Sequence, residues 1–248
     1  MDLTGRRVIV TGGVKGLGRA VVDKLLDKDA VVTVFDVDEP GLEALAAETK
    51  VNCVRCDVSR SKQVTEATIR YRETFGPPHA LVNNAGVLYS SPLIGIGAGG
   101  IKRHGFAEWN RVIASDLSSV FFMSVCIAEQ MVATRTKGVI VNVSSVAAAG
   151  NVGQSAYSAA KAGVNALTVT WAKELSPFGI RVAGVAPGYS ETESTKQAVN
   201  ETMLREIIGR VPARRLGKPG EIADGIIWVL ENDFFNGKIL ELDGGLRI

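Results

Sequence analysis

The chain has 248 residues, which suits one large α/β domain, and 46% of them are apolar, which excludes a disordered chain. The formal net charge is only +2 and no basic stripe is present, so we expect neither nucleic acid nor a membrane surface as a partner. No stretch is apolar and long enough for a signal peptide or a transmembrane helix, and neither is predicted.

The predicted elements alternate between short β-branched runs and longer stretches of helical periodicity, which indicates βαβ units on a parallel sheet. The strands are apolar throughout, as expected where helices cover both faces of a sheet. In chain order, the predicted strands are RRVIVTGG, AVVTVFDVD, VNCVRCDVS, ALVNNAG, GVIVNVSSVAA, IRVAGVAPG and KILELDGG. The predicted helices between them are LGRAVVDKLLDKD, LEALAAETK, KQVTEATIRYRETFG, EWNRVIASDLSSVFFMSVCIAEQMV and YSAAKAGVNALTVTWAKELS.

The first strand becomes the first helix at VTGGVKGLGRA, where Gly12, Gly16 and Gly18 are spaced T-G-x-x-x-G-x-G. Glycine allows the backbone to approach a pyrophosphate closely, and a helix N-terminus supplies unpaired amides and partial positive charge. The spacing differs from that of a nucleoside triphosphate loop, so a kinase or an ATPase is disfavoured. By itself the cluster is weak, because glycines between a strand and a helix often form only a turn.

The next three strands also end in polar residues or glycine. Asp36 closes the second strand, where its carboxylate could accept hydrogen bonds from an adenosine ribose; the alternative is an aspartate that only caps a turn. Asp57 ends the third strand beside the expected adenine position, and NNAG (83–86) ends the fourth. Because open α/β sheets bind ligands at the carboxyl ends of their strands, these residues predict one dinucleotide site.

Two residues bear on the choice between NAD and NADP. A carboxylate at Asp36 would hydrogen-bond a ribose 2′-hydroxyl and repel a 2′-phosphate, which favours NAD. Lys15 favours NADP, because an ammonium inside the glycine turn could pair with that phosphate. We give more weight to Asp36 and predict NAD.

The three cysteines indicate a reducing compartment, and we expect a cytoplasmic protein. Cys53 and Cys56 form a C-x-x-C, but within a predicted strand, whereas redox and metal motifs need a turn or a helix start. The two histidines, His79 and His104, have no spacing that joins them to the cysteines. No metal site is predicted.

Tyr157 and Lys161 lie one helical turn apart and share a face of the predicted helix. A neighbouring ammonium stabilises phenolate and lowers the pKa of a phenol, and the positive nicotinamide ring of NAD would act in the same direction. The pair could then exchange a proton with an alcohol or a ketone near neutrality, while a serine at the end of the fifth strand holds the oxygen. A lone Y-x-x-x-K is usually structural; its place after a nucleotide turn favours chemistry.

These motifs together resemble a known family. T-G-x-x-x-G-x-G, NNAG, the strand-end serine, Y-x-x-x-K and PGYSET occur in this order in the short-chain dehydrogenase/reductase family, and the resemblance covers essentially the whole chain. The segments ENDFFNGKILELDGGLRI and NVGQSAYSAAKAG look most like the branch of mitochondrial hydroxysteroid and short-chain 3-hydroxyacyl-CoA dehydrogenases. The resemblance implies one doubly wound (Rossmann) domain over residues 1–248, with a seven-stranded parallel sheet and helices on both faces.

The resemblance also implies hydride transfer between nicotinamide C4 and the carbon of a secondary alcohol. Tyr157 would be the acid/base, Lys161 would lower its pKa and bind the nicotinamide ribose, and Thr192 would reach the carboxamide. The implied cofactor contacts are Gly12, Lys15, Gly16, Leu17, Gly18, Asp36, Asp57, Val58, Asn84, Ala85, Gly86, Tyr157, Lys161, Pro187, Gly188 and Thr192.

Two positions depart from the family pattern. The usual distance to the tyrosine points to Ser144 as the catalytic serine, whereas alignment of the strand points to Ser145. We favour Ser145, because a loop absorbs a deletion more readily than a strand absorbs a change of register. Asp116 stands where the family has an asparagine that helps to hold a water for proton relay, and a carboxylate there would tend to keep Lys161 charged and so alter the relay. The alternative is a solvated helix residue in a different register.

The substrate pocket is expected between the loops 88–105, 147–154 and 188–208. Residues 95–105, GIGAGGIKRHG, are predicted to form a mobile loop, and no charge pattern around Glu191, Glu193 and Lys196 identifies a ligand. The long helix and the helix of Tyr157 are apolar on more than one face, which predicts a homo-oligomer. The family resemblance implies a tetramer.

The leading hypothesis is an NAD-dependent dehydrogenase of a secondary alcohol or ketone, with an acyl-thioester (3-hydroxyacyl-CoA), cyclic alcohol or steroid-like substrate. The alternative from another class is an NAD-binding redox sensor or scaffold with weak or no activity, which Asp116 favours and the intact Tyr157–Lys161 pair disfavours. Epimerase or dehydratase chemistry starts from the same hydride step and would give product without net NADH.

Overall fold

A parallel sheet is the centre of the computed structural model, which describes residues 1–97, 100–192 and 201–246. The described strands of this sheet are all parallel. Numbered along the chain, their order across the sheet is 3-2-1-4-7-8-9. The strands are β1 (Arg7–Thr11), β2 (Val31–Asp36), β3 (Asn52–Arg55), β4 (Ala80–Asn83), β5 (Ile94–Gly97), β6 (Gly100–Arg103), β7 (Gly138–Val143), β8 (Ile180–Pro187) and β9 (Ile239–Leu242). The predicted α/β fold with a seven-stranded parallel sheet is confirmed.

Helices cover both faces of this sheet. They are α1 (Gly16–Leu26), α2 (Glu39–Glu48), α3 (Ser61–Phe75), α4 (Phe106–Ile113), α5 (Ser119–Ala133), α6 (Ser155–Leu175), α7 (Glu201–Arg210) and α8 (Pro219–Glu231). The sequence interpretation missed α7 and α8. The start of α8 did carry a signal, because Pro219 stands in its first turn and the Glu221 carboxylate accepts a hydrogen bond from the Lys218 backbone amide.

Side chains of β1 show why the strands are apolar on both faces. Val8 and Val10 are fully buried in a cluster with α1 and α8, whereas Ile9 is fully buried in a second cluster with α3 and α5. Successive side chains of a strand point to opposite faces, so a sheet between two helix layers needs apolar residues at every position. Each fully buried aliphatic side chain contributes about 1.5–3 kcal/mol to folding.

Successive strands are added on one side of β1 first and on its other side afterwards. The chain moves outward from β1 to β2 and β3, and then returns to the other side of β1 to place β4. At such a switch point the loops that follow neighbouring strands separate and leave a crevice at the carboxyl ends of the strands. The crevice lies between the loops after β1 and β4.

The predicted long helix is continuous over residues Phe106–Ala133, because α4 and α5 are joined by a π-helical turn at Ala114–Ser118. By length and composition alone this helix could cross a membrane, with a mean hydropathy of 1.6. Its inward face packs on the sheet, where Met123, Ile127 and Met131 are fully buried. Its apolar composition therefore has a structural explanation within this fold.

The prediction of a loop over residues 95–105 was wrong for much of that segment. β5 and β6 form an antiparallel hairpin that pairs Ile96 with Ile101 and Ile94 with Arg103, while residues 98–99 lie outside the described ranges. The glycines favoured the loop interpretation, because glycine is unfavourable in strands. Here Gly100 begins β6 with a φ of +92°, which glycine adopts readily, and the isoleucines supply the alternation of a strand.

Candidate active site

All the site residues predicted from the sequence line one cleft of about 490 Å³. The cleft lies at the carboxyl ends of the strands, at the switch point beside β1. Its walls include the four proposed catalytic side chains, Ser145, Tyr157, Lys161 and Asp116. They also include the predicted cofactor contacts, namely Gly12, Lys15, Gly16, Leu17, Gly18, Asp36, Asp57, Val58, Asn84, Ala85, Gly86, Pro187, Gly188 and Thr192.

The glycine turn has the geometry of an anion site. Gly12 and Gly16 have φ values of +66° and +59°, which residues with side chains rarely adopt, and a Cβ on Gly18 would overlap the Gly12 carbonyl oxygen. α1 begins at Gly16, with no side-chain cap from Lys15 and no acidic residue in its first turn. Its N-terminal amides and positive dipole end therefore face the cleft without a neutralising group, which fits the pyrophosphate of a dinucleotide.

The end of β4 holds this turn in place. The Asn84 side-chain amide donates to the carbonyl oxygens of Thr11 (3.0 Å) and Gly12 (2.9 Å), and the Thr11 hydroxyl accepts from the Asn84 and Ala85 amides. These bonds use the polar groups of the turn that would otherwise stay unpaired. The conformation of the turn is therefore fixed by hydrogen bonds within the protein.

Asp36 is placed in the cleft but is also used by its own loop. Its carboxylate accepts hydrogen bonds from the backbone amides of Val14 (3.2 Å), Val37 (2.8 Å) and Asp38 (3.1 Å). The turn-capping alternative thus describes part of what Asp36 does. A carboxylate has about four lone-pair sites, so these bonds leave capacity for a ribose hydroxyl.

The Asp57 carboxylate is also used by hydrogen bonds within its own loop. The Asp57 carboxylate accepts from the Ser59 backbone amide (3.0 Å) and the Ser59 hydroxyl (2.6 Å). Cys53 lies in β3, as predicted, whereas Cys56 directly follows the strand instead of lying within it, and both thiols are free. Within the described ranges, no group of three or more His, Cys, Asp and Glu side chains is arranged to hold a metal ion.

Tyr157 and Lys161 lie on the first turns of α6, below the end of β7. Lys161 is buried, and its Nζ donates to the Val143 carbonyl oxygen (3.0 Å) and lies 5.5 Å from the centre of the Tyr157 ring. The Lys161 charge is therefore held between strand and helix, on the cleft side of the sheet. This arrangement follows from the four-residue spacing, because both side chains project from the same helix face.

The two serines at the end of β7 have different surroundings. Ser144 is buried, and its hydroxyl donates to the Lys161 backbone carbonyl (3.3 Å), which links β7 to α6. The Ser145 hydroxyl accepts from the Ala147 amide (3.2 Å) and interacts with the Tyr157 phenol. Ser145 is thus the serine in contact with the tyrosine, and Ser144 supports the backbone that carries Lys161.

The pKa of Tyr157 is raised above its ordinary value. Burial among protein atoms raises this pKa most, the Lys161 charge lowers it, the Asp116 charge raises it, and the interaction with Ser145 lowers it. Lys161 thus acts in the expected direction, and burial acts against it. Burial outweighs the ammonium here, so the protonated phenol dominates near neutrality.

Asp116 is a fully buried carboxylate in the π-helical turn. Its Oδ2 accepts from the Val87 amide (3.0 Å), and its Oδ1 lies 3.4 Å from Lys161 Nζ, in an alignment too poor for a hydrogen bond. Burial raises the pKa of Asp116, and Lys161 opposes this increase. A side chain at Gly86 would overlap Oδ1, so the glycine makes room for this carboxylate.

The sequence interpretation missed three polar residues of the cleft, Asn151, Gln154 and Tyr189. The Asn151 side-chain amide donates to Gln154 Oε1 (3.1 Å) and to the Tyr189 hydroxyl (3.0 Å). All three lie in segments predicted to form the substrate pocket. Their signals were present, because Gln154 precedes Tyr157 by three residues and Tyr189 directly follows Pro187 and Gly188. Glu193 and Lys196 of the same predicted pocket lie outside the described residues.

Known proteins are similar to this chain over most or all of its length. A family model described as short chain dehydrogenase matches residues 6–203. The 3-oxoacyl-[acyl-carrier-protein] reductase FabG of Thermotoga maritima is 34% identical, over all of both chains. Human 3-hydroxyacyl-CoA dehydrogenase type-2 is also 34% identical, over all of this chain and 97% of its own. The crystal structure of a putative gluconate dehydrogenase from Agrobacterium tumefaciens matches with a TM-score of 0.88 at 30% identity, over 98% of this chain and 96% of its own.

Proposed function

Because the chain belongs to the short-chain dehydrogenase family, we propose that it is an NAD-dependent oxidoreductase of a secondary alcohol or ketone. One observation carries this proposal: Tyr157, Lys161 and Ser145 line the same cleft as the glycine turn at the start of α1. A bound nicotinamide dinucleotide would supply the hydride acceptor or donor. The glycine turn would hold its pyrophosphate, Asp36 its adenosine ribose, and Pro187, Gly188 and Thr192 would line its nicotinamide.

The side chains of this chain would control the proton and the position of the substrate. Ser145 would hold the substrate oxygen beside the Tyr157 phenol. In ketone reduction the phenol hydroxyl gives its proton to the oxygen that becomes the alcohol, and in alcohol oxidation the phenolate accepts that proton. Lys161 favours the phenolate that remains after reduction.

The function is tested by the near-ultraviolet absorbance of reduced nicotinamide. We expect purified protein to oxidise NADH with members of a panel of ketones, and to reduce NAD⁺ with the matching secondary alcohols. Parallel reactions with NADPH and NADP⁺ test the preference for NAD, which rests on Asp36. Faster turnover with NADPH and NADP⁺ would indicate that Lys15, rather than Asp36, determines the choice of cofactor. Nucleotide binding without turnover of any substrate would favour a redox sensor or scaffold.

The Asp116→Asn variant should shift the pH dependence of alcohol oxidation. The Asp116 charge raises the pKa of Tyr157, so its removal lowers that pKa and increases the phenolate fraction at a given pH. We expect the acidic limb of the kcat/KM profile to move to lower pH, with activity retained. An amide oxygen can still accept from Val87, so the fold of the π-helical turn is kept.

The exposed Asp224→Asn variant is the matched control, because it removes a carboxylate that pairs with Lys24 on the surface, outside the cleft lining. Its pH profile should be that of the wild type. If Asp116→Asn has the wild-type profile as well, Asp116 has no electrostatic influence on the proton transfer.

We also propose that the protein is a homo-oligomer, with a tetramer as the expected state. A groove of about 410 Å³ between α5 and α6 is lined mainly by apolar residues, including Leu117, Phe122 and Leu167. Phe121 and Val125 of α5 are about half exposed beside it. A second copy of the chain would cover this surface, and a monomeric mass in light scattering would contradict the proposal.

The three free cysteines support a cytoplasmic location.

A further inference from the structure

We propose that Asn142 of β7 and Thr168 of α6 are positioning residues of the proposed reaction. The hydrogen bond between them fixes α6 on β7 and so holds Tyr157, which α6 carries, opposite Ser145 at the end of β7. Neither Asn142 nor Thr168 belongs to the described lining of the cleft, so neither touches the substrate or the nucleotide. This inference rests on the proposed function, because it concerns the geometry of the same acid/base.

A chain of buried polar side chains runs from α5 through β4 and β7 to α6. The Asn142 side-chain amide donates to the Thr168 hydroxyl (2.9 Å), which in turn donates to the Val164 carbonyl oxygen (2.8 Å). The Asn142 side-chain oxygen accepts from the Asn83 amide (2.9 Å). That amide also donates to the Ser124 hydroxyl (2.9 Å). All four side chains of the chain are buried, so none of these bonds is exchanged freely with water.

The bond between Asn142 and Thr168 sets the position of α6 along β7. The apolar side chains that α6 buries include Ala160, Val164 and Ala172, which are small, and hydrophobic contact has no preferred direction. A hydrogen bond between two buried groups is directional, and a slide of the helix would leave the Asn142 amide without an acceptor. The polar pair therefore selects one register among those that the apolar packing allows.

Two further contacts tie α6 to β7 at the catalytic end of the helix. Lys161 Nζ donates to the Val143 carbonyl oxygen, and the Ser144 hydroxyl donates to the Lys161 carbonyl oxygen. Thr168 lies two turns, about 10 Å, further along the helix. Attachment at one end alone would let α6 pivot, whereas attachment at two separated points fixes its direction. The direction of α6 determines where the Tyr157 hydroxyl lies relative to β7.

The test removes the bond from either side. Thr168→Val keeps the size of the side chain and removes its hydroxyl, whereas Asn142→Leu removes the amide. In the second variant, the Thr168 hydroxyl still donates to the Val164 carbonyl oxygen. The Asn83 amide still donates to the Ser124 hydroxyl. Because these groups keep a hydrogen-bond partner, we expect Asn142→Leu to unfold at close to the wild-type temperature.

Both variants are expected to lose between about tenfold and 10²-fold in kcat, because a displacement of about 1 Å at the acid/base is sufficient for such a loss. The assay uses NADH and the ketone that the wild type reduces fastest. The dissociation constant of NADH should stay at the wild-type value, because the glycine turn lies between β1 and α1 and takes no part in this bond. Amide hydrogen exchange of α6 should be faster in both variants.

Two control variants separate the bond from a general loss of stability. Thr168→Ser keeps the hydroxyl and should keep the wild-type kcat and exchange rates. Thr68→Val is the matched control, because Thr68 is also buried in a helix and its hydroxyl also donates to the Val64 carbonyl oxygen four residues before it (2.8 Å). Among the described residues, no other side chain donates to the Thr68 hydroxyl. This variant should keep the wild-type kcat.

The double variant Asn142→Leu with Thr168→Val tests whether the two residues act through one bond. Once either partner is missing the bond is already lost, so the double variant should have the kcat of the more affected single variant. Losses that multiply, or single variants with the wild-type kcat, overturn the inference. Those results leave wild-type turnover and the proposed function intact. A wild type that reduces no ketone refutes the proposed function, and the inference with it.

Discussion

The Tyr157→Phe variant is expected to lose about 10²–10⁴-fold in kcat while it binds nucleotide and unfolds like the wild type. In the proposed mechanism the phenol oxygen gives or takes the proton of the substrate, and phenylalanine removes only that oxygen. The glycine turn, which we propose as the nucleotide site, is held by hydrogen bonds of Asn84 and Thr11 that do not involve Tyr157. The measurements are steady-state kinetics, titration with reduced nucleotide and thermal unfolding.

The control is Tyr71→Phe, which removes a phenol oxygen from a tyrosine that is buried in the core. Its turnover should be close to that of the wild type. Near-wild-type turnover by Tyr157→Phe would remove the acid/base from the proposed mechanism. It would leave the fold and the family as they are, since these rest on the sheet and on the whole-length similarity.

The sheet and the glycine turn could be predicted because their causes are local in the sequence. Each strand of a sheet that is covered on both faces is a short apolar run, and each run here lies between stretches of helical periodicity. The Tyr157–Lys161 pairing was equally local, because residues four apart on a helix share a face. Local geometry brought the candidate site into one cleft.

Features that depend on distant residues could not be predicted. The hydrogen bond between Asn151 and Tyr189 joins a loop to the end of β8, across 38 residues of sequence. The sign of the pKa shift of Tyr157 depends on how many protein atoms surround the phenol, and spacing gives no measure of that burial. The hairpin of β5 and β6 needed the pairing of Ile96 with Ile101, which glycine-rich composition conceals.

The Lys161→Met variant is expected to lose activity and stability together. Loss of the charge that favours the phenolate should lower kcat by at least about 10²-fold. The variant also leaves the buried Asp116 carboxylate without its counter-charge, and breaking one side of a buried ion pair typically costs about 3–5 kcal/mol of unfolding free energy. Denaturation by urea at neutral pH measures this loss.

The pH dependence of that loss identifies Asp116 as its source. Burial already raises the pKa of Asp116, and without Lys161 nothing opposes that increase to the same extent. An acid with a raised pKa in the folded state is stabilising at low pH, and this contribution is lost as the pH rises through the folded pKa. The deficit of Lys161→Met should therefore be smallest in acid, at pH values below the range in which the buried carboxylate ionises.

A double variant separates the structural role of the pair from its catalytic role. Lys161→Met combined with Asp116→Leu removes both charges and fills the space with apolar atoms, and such replacements of buried ion pairs are often neutral or stabilising. We expect the double variant to recover most of the unfolding free energy and none of the activity. Recovery of turnover would show that Lys161 serves only to neutralise Asp116. Failure to recover stability would show that its bond to the Val143 carbonyl, rather than the ion pair, secures β7 to α6.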